Sequence, residues 1–294
     1  MKPVEENLDN PTLAGLNKYK LGAFLKFKAL IYGVFREAIA KKIFLGFTVI
    51  STLIILVFLL VINMDSVQGM VDTMKMTGDE AAKQFVIGSL AYMVQISYLL
   101  IITFCLISVS SFIPSMLEKG SIDLLLSKPI SRAQIILGKF TGGVLLIFAS
   151  LIYLLGAVFL IVSAKSGYWY FPFLSTILWL TFSFAVIYSV VILIGLLTQS
   201  TILTIIINIF LVFIIAPVLG NRETILYGFI SNTTVQFILN LFYYILPKPG
   251  DLNAMSMSIL QGEQVKSWQP LITSSLLMLT CLSVSIFYFK KKDY

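Results

Sequence analysis

The pair Gly138-Lys139 invites a test for a phosphate-binding loop. Such a loop needs Gly, four residues, then Gly-Lys-Ser/Thr, so that backbone amides cradle phosphate and the hydroxyl binds magnesium. The earlier position is Ala133 and the residue after Lys139 is Phe140, so both requirements fail. Histidine is absent from all 294 residues. That removes His-based metal sites, haem ligation and histidine general bases together. Cys105 and Cys281 each lie inside an apolar run with no neighbouring ligand, which reads as packing rather than a disulfide or metal pair. Metal-dependent, Ser-His and paired-carboxylate enzymes all lack parts here. No catalytic, cofactor-binding or metal-binding residue is expected, and the chain is not expected to be an enzyme.

What remains is recognition chemistry, concentrated in Ser115 to Lys139, SMLEKGSIDLLLSKPISRAQIILGK. Ser131 and Gln134 have the spacing of a capping box, in which each side chain satisfies an orphan amide at a helix start. Ile130 and Ile135 fit the accompanying hydrophobic staple. A helix is therefore expected from Arg132 onward. Pro129 biases Lys128 away from helix and separates this segment from the short one before it, Ser121 to Ser127. Gly120 supplies a joint. The result is a helix-turn-helix elbow with Leu124, Leu125 and Leu126 at its tip. An apolar cluster there must be covered by lipid headgroups, by the protein's own amphipathic helix, or by a partner protein.

The elements around the elbow follow from composition. The chain is 58% hydrophobic and 12% charged, with mean hydropathy +0.95. It has too little polar surface to cover a soluble core, and a bilayer is its natural solvent. Six runs lack Asp, Glu, Lys and Arg: 43–62, 85–113, 141–162, 171–197, 202–219 and 271–289. They predict an all-α polytopic membrane protein with six transmembrane helices. The connector Thr198-Gln199-Ser200-Thr201 implies a tight antiparallel pair. No cleavable signal peptide is expected.

Six crossings put both termini on one side, and basic residues select it. Fifteen Lys and Arg flank the side with the termini and the elbow, against six on the other. Both termini and the elbow are therefore expected in the cytoplasm. The net charge of +7 lies at the edges of apolar segments, so nucleic acid is not an expected partner. Residues 1–20 read as a polar tail, 114–140 as the elbow and 290–294 as a second tail. Residues 21–42 read as an interfacial amphipathic helix burying Phe24, Phe27, Ile31 and Phe35 among acyl chains, or as simple flanking charge. The long outer connector, 220–270, reads either as short helices on or in the outer leaflet or as a folded loop. Its apolar stretch is broken by Asn232, Gln236 and Asn240, and Pro247-Lys248-Pro249-Gly250 marks a sharp turn.

The elbow sequence resembles the signature of the membrane subunits of ABC transporters of the type-2 (export) class. The matching positions are Glu118, Gly120, Asp123, Leu125, Leu126, Ser127, Pro129, Ile130, Ser131, Arg132, Gly138 and Lys139. Ser121 stands where Thr is commoner. The Pro-containing outer loop is similar to that of permeases of the copper-enzyme maturation and gliding-motility kind.

The resemblance implies a transport permease, and the composition, with no transit peptide expected, suggests a bacterial plasma (inner) membrane. Two copies, or one copy and a homologue, form the pathway, and a separate ABC ATPase, two copies per complex, binds ATP and magnesium. It makes the elbow a coupling helix, with Leu124 to Leu126 and Ile130 in a groove of the ATPase. Glu118, Asp123 and Arg132 would set register by ion pairs at the rim or within the elbow. An ion-coupled or passive secondary carrier is the first rival, but ionisable groups are missing from the apolar runs. A non-transporting membrane scaffold is the second.

Overall fold

A computed structural model describes residues 11–62, 79–118, 120–127, 130–230, 232–265 and 267–292. Residues 1–10 of the expected tail, residues 293–294 and Pro129 lie outside the described residues. The described chain is all-helical. Its elements are α1 (Pro11–Ala40), α2 (Ile43–Ile62), α3 (Asp79–Val109), α4 (Phe112–Met116), α5 (Ser121–Leu126), α6 (Arg132–Ser166) and α7 (Pro172–Thr198). Next comes α8 (Thr201–Gly220), which contains a π turn at Leu211–Ile215. Then follow α9 (Arg222–Ile225), α10 (Thr233–Ile245), α11 (Pro249–Leu260) and α12 (Gln269–Lys291).

Helices occupy all six apolar runs. Among the described residues, α6, α7, α8 and α12 are each long and apolar enough to cross a membrane. A fifth span is reached if Leu25–Ala40 and Phe44–Leu60, bent by 67° from one another, are counted as one. The second run departs from its expected limits. α3 begins at Asp79 and stops at Val109, and Ile113 falls in α4. The break has a local cause. Pro114 has no amide to bond back to Ser110, and its ring crowds that carbonyl, while the Ser110 hydroxyl donates to Leu106 O.

The third run is extended at both ends by caps. Ser131 and Gln134 form the expected capping box, with Ser131 N to Gln134 Oε1 at 3.1 Å and Gln134 N to Ser131 Oγ at 3.2 Å. At the other end Gly167 sits at φ +72°, its amide bonded to Ser163 O. The α7–α8 connection is the tight turn anticipated: Gln199 adopts φ +53°, and the Ser200 hydroxyl caps Leu203 N. In α8 the π turn precedes Pro217. The missing amide and crowded carbonyl of a helical proline are accommodated by one wider turn, seen in the Ala216 N–H bonding Leu211 O.

α7 is the centre of the bundle. Tyr188, Phe173 and Ile192 on it are completely buried, and α6, α12 and α11 pack around it. The outer connector is helical. Asn232 caps α10 through Thr234 N at 2.9 Å. Gln236 Nε2 donates to Ile230 O at 2.8 Å, and Asn240 Oδ1 accepts from Arg222 Nε at 2.6 Å and Tyr227 OH at 2.9 Å. The polar interruptions thus serve the connector itself. After the Pro247–Pro249 turn, α11 runs back along α7, with Leu252 and Met255 against Val186. Asn253 Nδ2 donates to Gln95 Oε1 of α3 at 2.8 Å.

Candidate functional site

The elbow is built from four short steps. α4 carries buried Phe112, Ile113 and Met116 into the core and so fixes the entry. The chain turns at Gly120, whose φ of +87° lies where residues with a Cβ are strained. Gly120 N donates to Asp123 Oδ2 at 3.3 Å, and the carbonyl of Glu118 accepts from Ser121 N and Ile122 N at 3.1 and 3.2 Å. α5 then anchors through Ile122, which is buried. Leu124, Leu125 and Leu126 complete α5, and their side chains lie outside the described residues. Ser127 N closes the helix onto Asp123 O at 3.0 Å.

The charged residues expected to work together at the elbow take separate roles. Glu118 and Asp123 are exposed, and among the described residues neither forms an ion pair. Arg132 reaches across to the end of α12. Its Nη1 donates to Phe289 O at 2.9 Å, Lys290 O at 3.3 Å and Lys292 O at 2.6 Å. Ile130 packs against the chain's own core. Gly138 allows α1 to approach α6: a Cβ there would lie 2.8 Å from Leu30 Cβ, and one at Gly142 would lie 2.8 Å from Val34 Cβ. Gly143 does the same for the ring of Tyr188, whose hydroxyl donates to Lys139 O at 3.1 Å.

Lys139 belongs to a cluster that pattern reading missed. Its ammonium is paired with Glu37 of α1. Glu37 Oε1 also accepts from Lys41 at 2.9 Å and from the Ser115 hydroxyl at 3.3 Å. Lys41 Nζ donates to Ser115 Oγ at 2.8 Å and lies 5.4 Å from the centroid of the Phe112 ring. Lys139 lies on the same ring at 5.8 Å. One carboxylate, two ammonium groups and an aromatic face therefore join α1, α4 and α6 at the base of the elbow. Burial on its own would raise the Glu37 carboxyl, but Lys139 and then Lys41 outweigh it and hold the group below its ordinary value of 4.5. One signal in the sequence could have found it: Glu37 is the sole acid between residues 11 and 40.

This packing revises the face of α1. Val34 and Ala38 are buried against the bundle and Phe35 packs on the core, while Leu25, Tyr32 and Ile39 are exposed. The exposed apolar side chains of α1 are thus Leu25, Tyr32 and Ile39, rather than Phe35.

A second polar cluster lies at the hairpin turn. Lys248 is buried and donates to Tyr244 O at 3.3 Å and Thr273 Oγ1 at 2.9 Å. Arg222 stacks 3.7 Å from the Tyr243 ring centroid, and the Tyr243 hydroxyl donates to Asp251 Oδ2 at 2.7 Å. Burial, with Arg222 adding to it against Asp251, pushes the Lys248 ammonium down to about 8. A cavity of about 370 Å³ opens between this turn, α3 and the π turn of α8. No group of three or more Cys, Asp and Glu suited to a metal occurs among the described residues.

Among the described residues, the flanks of the elbow are bonded to α1, α4 and α12. The sequence model of the ABC-2 family transporter proteins matches residues 34–294. No curated protein sequence matches the chain.

Proposed function

The chain belongs to the ABC-2 family of transporter proteins and is a multi-pass membrane permease subunit, and on that premise we propose that its elbow receives a separate ATPase subunit. Leu124, Leu125 and Leu126 are the apolar tip that enters the ATPase groove, with Glu118, Asp123 and Ser127 at its rim. ATP and magnesium are bound by that partner. Six crossings, α2, α3, α6, α7, α8 and α12, form the membrane bundle, and α1 lies along the inner interface. Both termini and the elbow face the cytoplasm, and the plasma membrane is the location. Two permease copies, or one copy and a homologue, complete the pathway. The Pro247–Pro249 turn favours the copper-enzyme maturation and gliding-motility subgroup.

The observation that carries this reading is the way the elbow's flanks are tied down. A solvated loop has no need of bonds to distant elements. Here Lys139 is tied to α1 and α4, Arg132 to α12, and Ile122 and Ile130 to the core. Displacement of α5 by closure of the ATPase would therefore move several helices together between two packings.

Replacing Leu125 and Leu126 together with Asp tests it. The expected result is release of a co-purifying ATPase while the membrane part keeps its melting temperature. A wild-type chain that purifies alone in mild detergent and transports without ATP would replace this reading with the secondary carrier.

A further inference from the structure

The last four carbonyls of any helix lack intrahelical partners, and they carry the negative end of the helix dipole. At the end of α12 three carbonyls, those of Phe289, Lys290 and Lys292, converge on one nitrogen of Arg132, at 2.9, 3.3 and 2.6 Å. The guanidinium carbon lies 5.7 Å from the centroid of the Phe289 ring, and that ring is completely buried in the core. The contact joins the first residue of α6 to a segment more than 150 positions away in the chain. Arg132 does this beside three lysines, Lys290, Lys291 and Lys292, which repel it. A cation is held there by the carbonyl dipoles and the ring face. Among the described residues no carboxylate pairs with Arg132.

We propose that Arg132 is a positioning residue: by capping the carboxyl end of α12 it joins the last helix to the elbow, so that a push on the elbow reaches that crossing directly. This rests on the coupling reading above and changes the role of one residue within it. Arg132 acts through α12 instead of touching the ATPase. Apolar packing also joins the two, since Ile130 and Phe289 share one core cluster, but Arg132 adds directional bonds at the very end of α12.

The experiment uses the assembled complex in lipid nanodiscs, with Cys105→Ser and Cys281→Ala as background. Spin labels are placed at Ser121→Cys, exposed at the start of α5, and at Phe287→Cys, exposed near the end of α12. In the parent the distance between them is expected to be narrow and the same with and without ATP and vanadate. Arg132→Gln should widen the distribution about twofold and make its centre depend on nucleotide, with the ATPase still bound. Arg132→Lys should restore most of the width, since an ammonium can also donate to carbonyls. Deleting residues 290–294 removes two of the three carbonyls but leaves a terminal carboxylate at Phe289 that can pair with Arg132, and should keep the distribution narrow. Adding Arg132→Gln to the deletion should then widen it, as expected when Arg132 carries the contact.

An unchanged distribution in Arg132→Gln overturns the proposal, as does a nucleotide-dependent shift in the parent. Loss of the ATPase from Arg132→Gln with the labels undisturbed overturns it too, and places Arg132 at the partner surface. Should Arg132→Gln fail to assemble, Arg132→Met decides, since it keeps an apolar stem over the Phe289 ring and donates nothing: no widening there refutes the cap. Failure of the coupling reading shows separately, as an ATPase that Leu125→Asp and Leu126→Asp do not release.

Discussion

At the scale of single residues, the charge cluster of Glu37, Lys139 and Lys41 makes the sharpest claim. Glu37 and Lys139 are 22% and 15% exposed, between the surface and buried limits for ion pairs. Glu37→Gln leaves two ammonium groups facing each other over Phe112, and is expected to destabilise the protein by about 1–3 kcal/mol at pH 7. The acid dependence follows from the depressed carboxyl. Because the folded state holds Glu37 ionised below its ordinary 4.5, this contribution is complete above that value and is lost as pH falls through the lower folded value. Thermal unfolding between pH 7 and pH 3 in nanodiscs should show Glu37→Gln lacking that part of the acid loss. A variant as stable as the parent at pH 7 would mean the cluster contributes nothing. The contrast with Ser131 explains what was legible. A capping box is a relation over three residues, and its geometry follows from local backbone alone. Glu37 and Lys139 are 102 residues apart, and only packing brings them together.

At the scale of elements, the seam between α1 and α6 depends on glycines at two successive turns, Gly138 and Gly142. A helix interior ordinarily gains up to about 1 kcal/mol when Gly becomes Ala. At Gly156 of the same helix a new Cβ meets nothing within 4 Å, so Gly156→Ala should stabilise the protein by up to about 1 kcal/mol. At Gly142 the same methyl would lie 2.8 Å from both Cβ and Cγ2 of Val34, a stiff β-branched side chain. Overpacking there should outweigh the propensity gain and leave Gly142→Ala less stable by about 1–3 kcal/mol. Melting temperatures of the two variants should move in opposite directions; a shared upward shift would deny the close approach. The six charge-free runs showed where the long helices lie, because length and apolarity are properties of the segment itself. The break before Pro114 and the π turn before Pro217 were missed by counting apolar residues, since each depends on one amide being absent. The outer connector stayed open for a related reason. Asn232, Gln236 and Asn240 look like interruptions of a helix until Thr234 N, Ile230 O and Arg222 are seen to be their partners.

At the scale of the whole molecule, the question is how the bundle sits in the bilayer. On the proposed six crossings, fifteen basic residues against six would put the elbow and both termini in the cytoplasm. The structure adds a mechanical consequence to that assignment. α1, the elbow and the end of α12 are bonded to one another through Glu37, Lys139 and Arg132, so they must share a side. The α10–α11 hairpin is held to α3 and α12 through Asn253 and Lys248, and belongs with the opposite ends of the spans. Two single cysteines in the cysteine-free background separate the possibilities. Glu118→Cys should react with an impermeant maleimide only after the membrane is opened, and Glu263→Cys, exposed in the stretch after α11, should react in intact cells. If both react from outside, the number of crossings between them is even, and one of α6, α7 and α8 does not span. If the pattern is reversed, the lysine-flanked end faces outward, and an ATPase confined to the cytoplasm cannot reach the leucine tip of α5. The same pair of labels thus bears on both the count of crossings and the docking of the partner, because the elbow can be driven by cytoplasmic ATP only from one side.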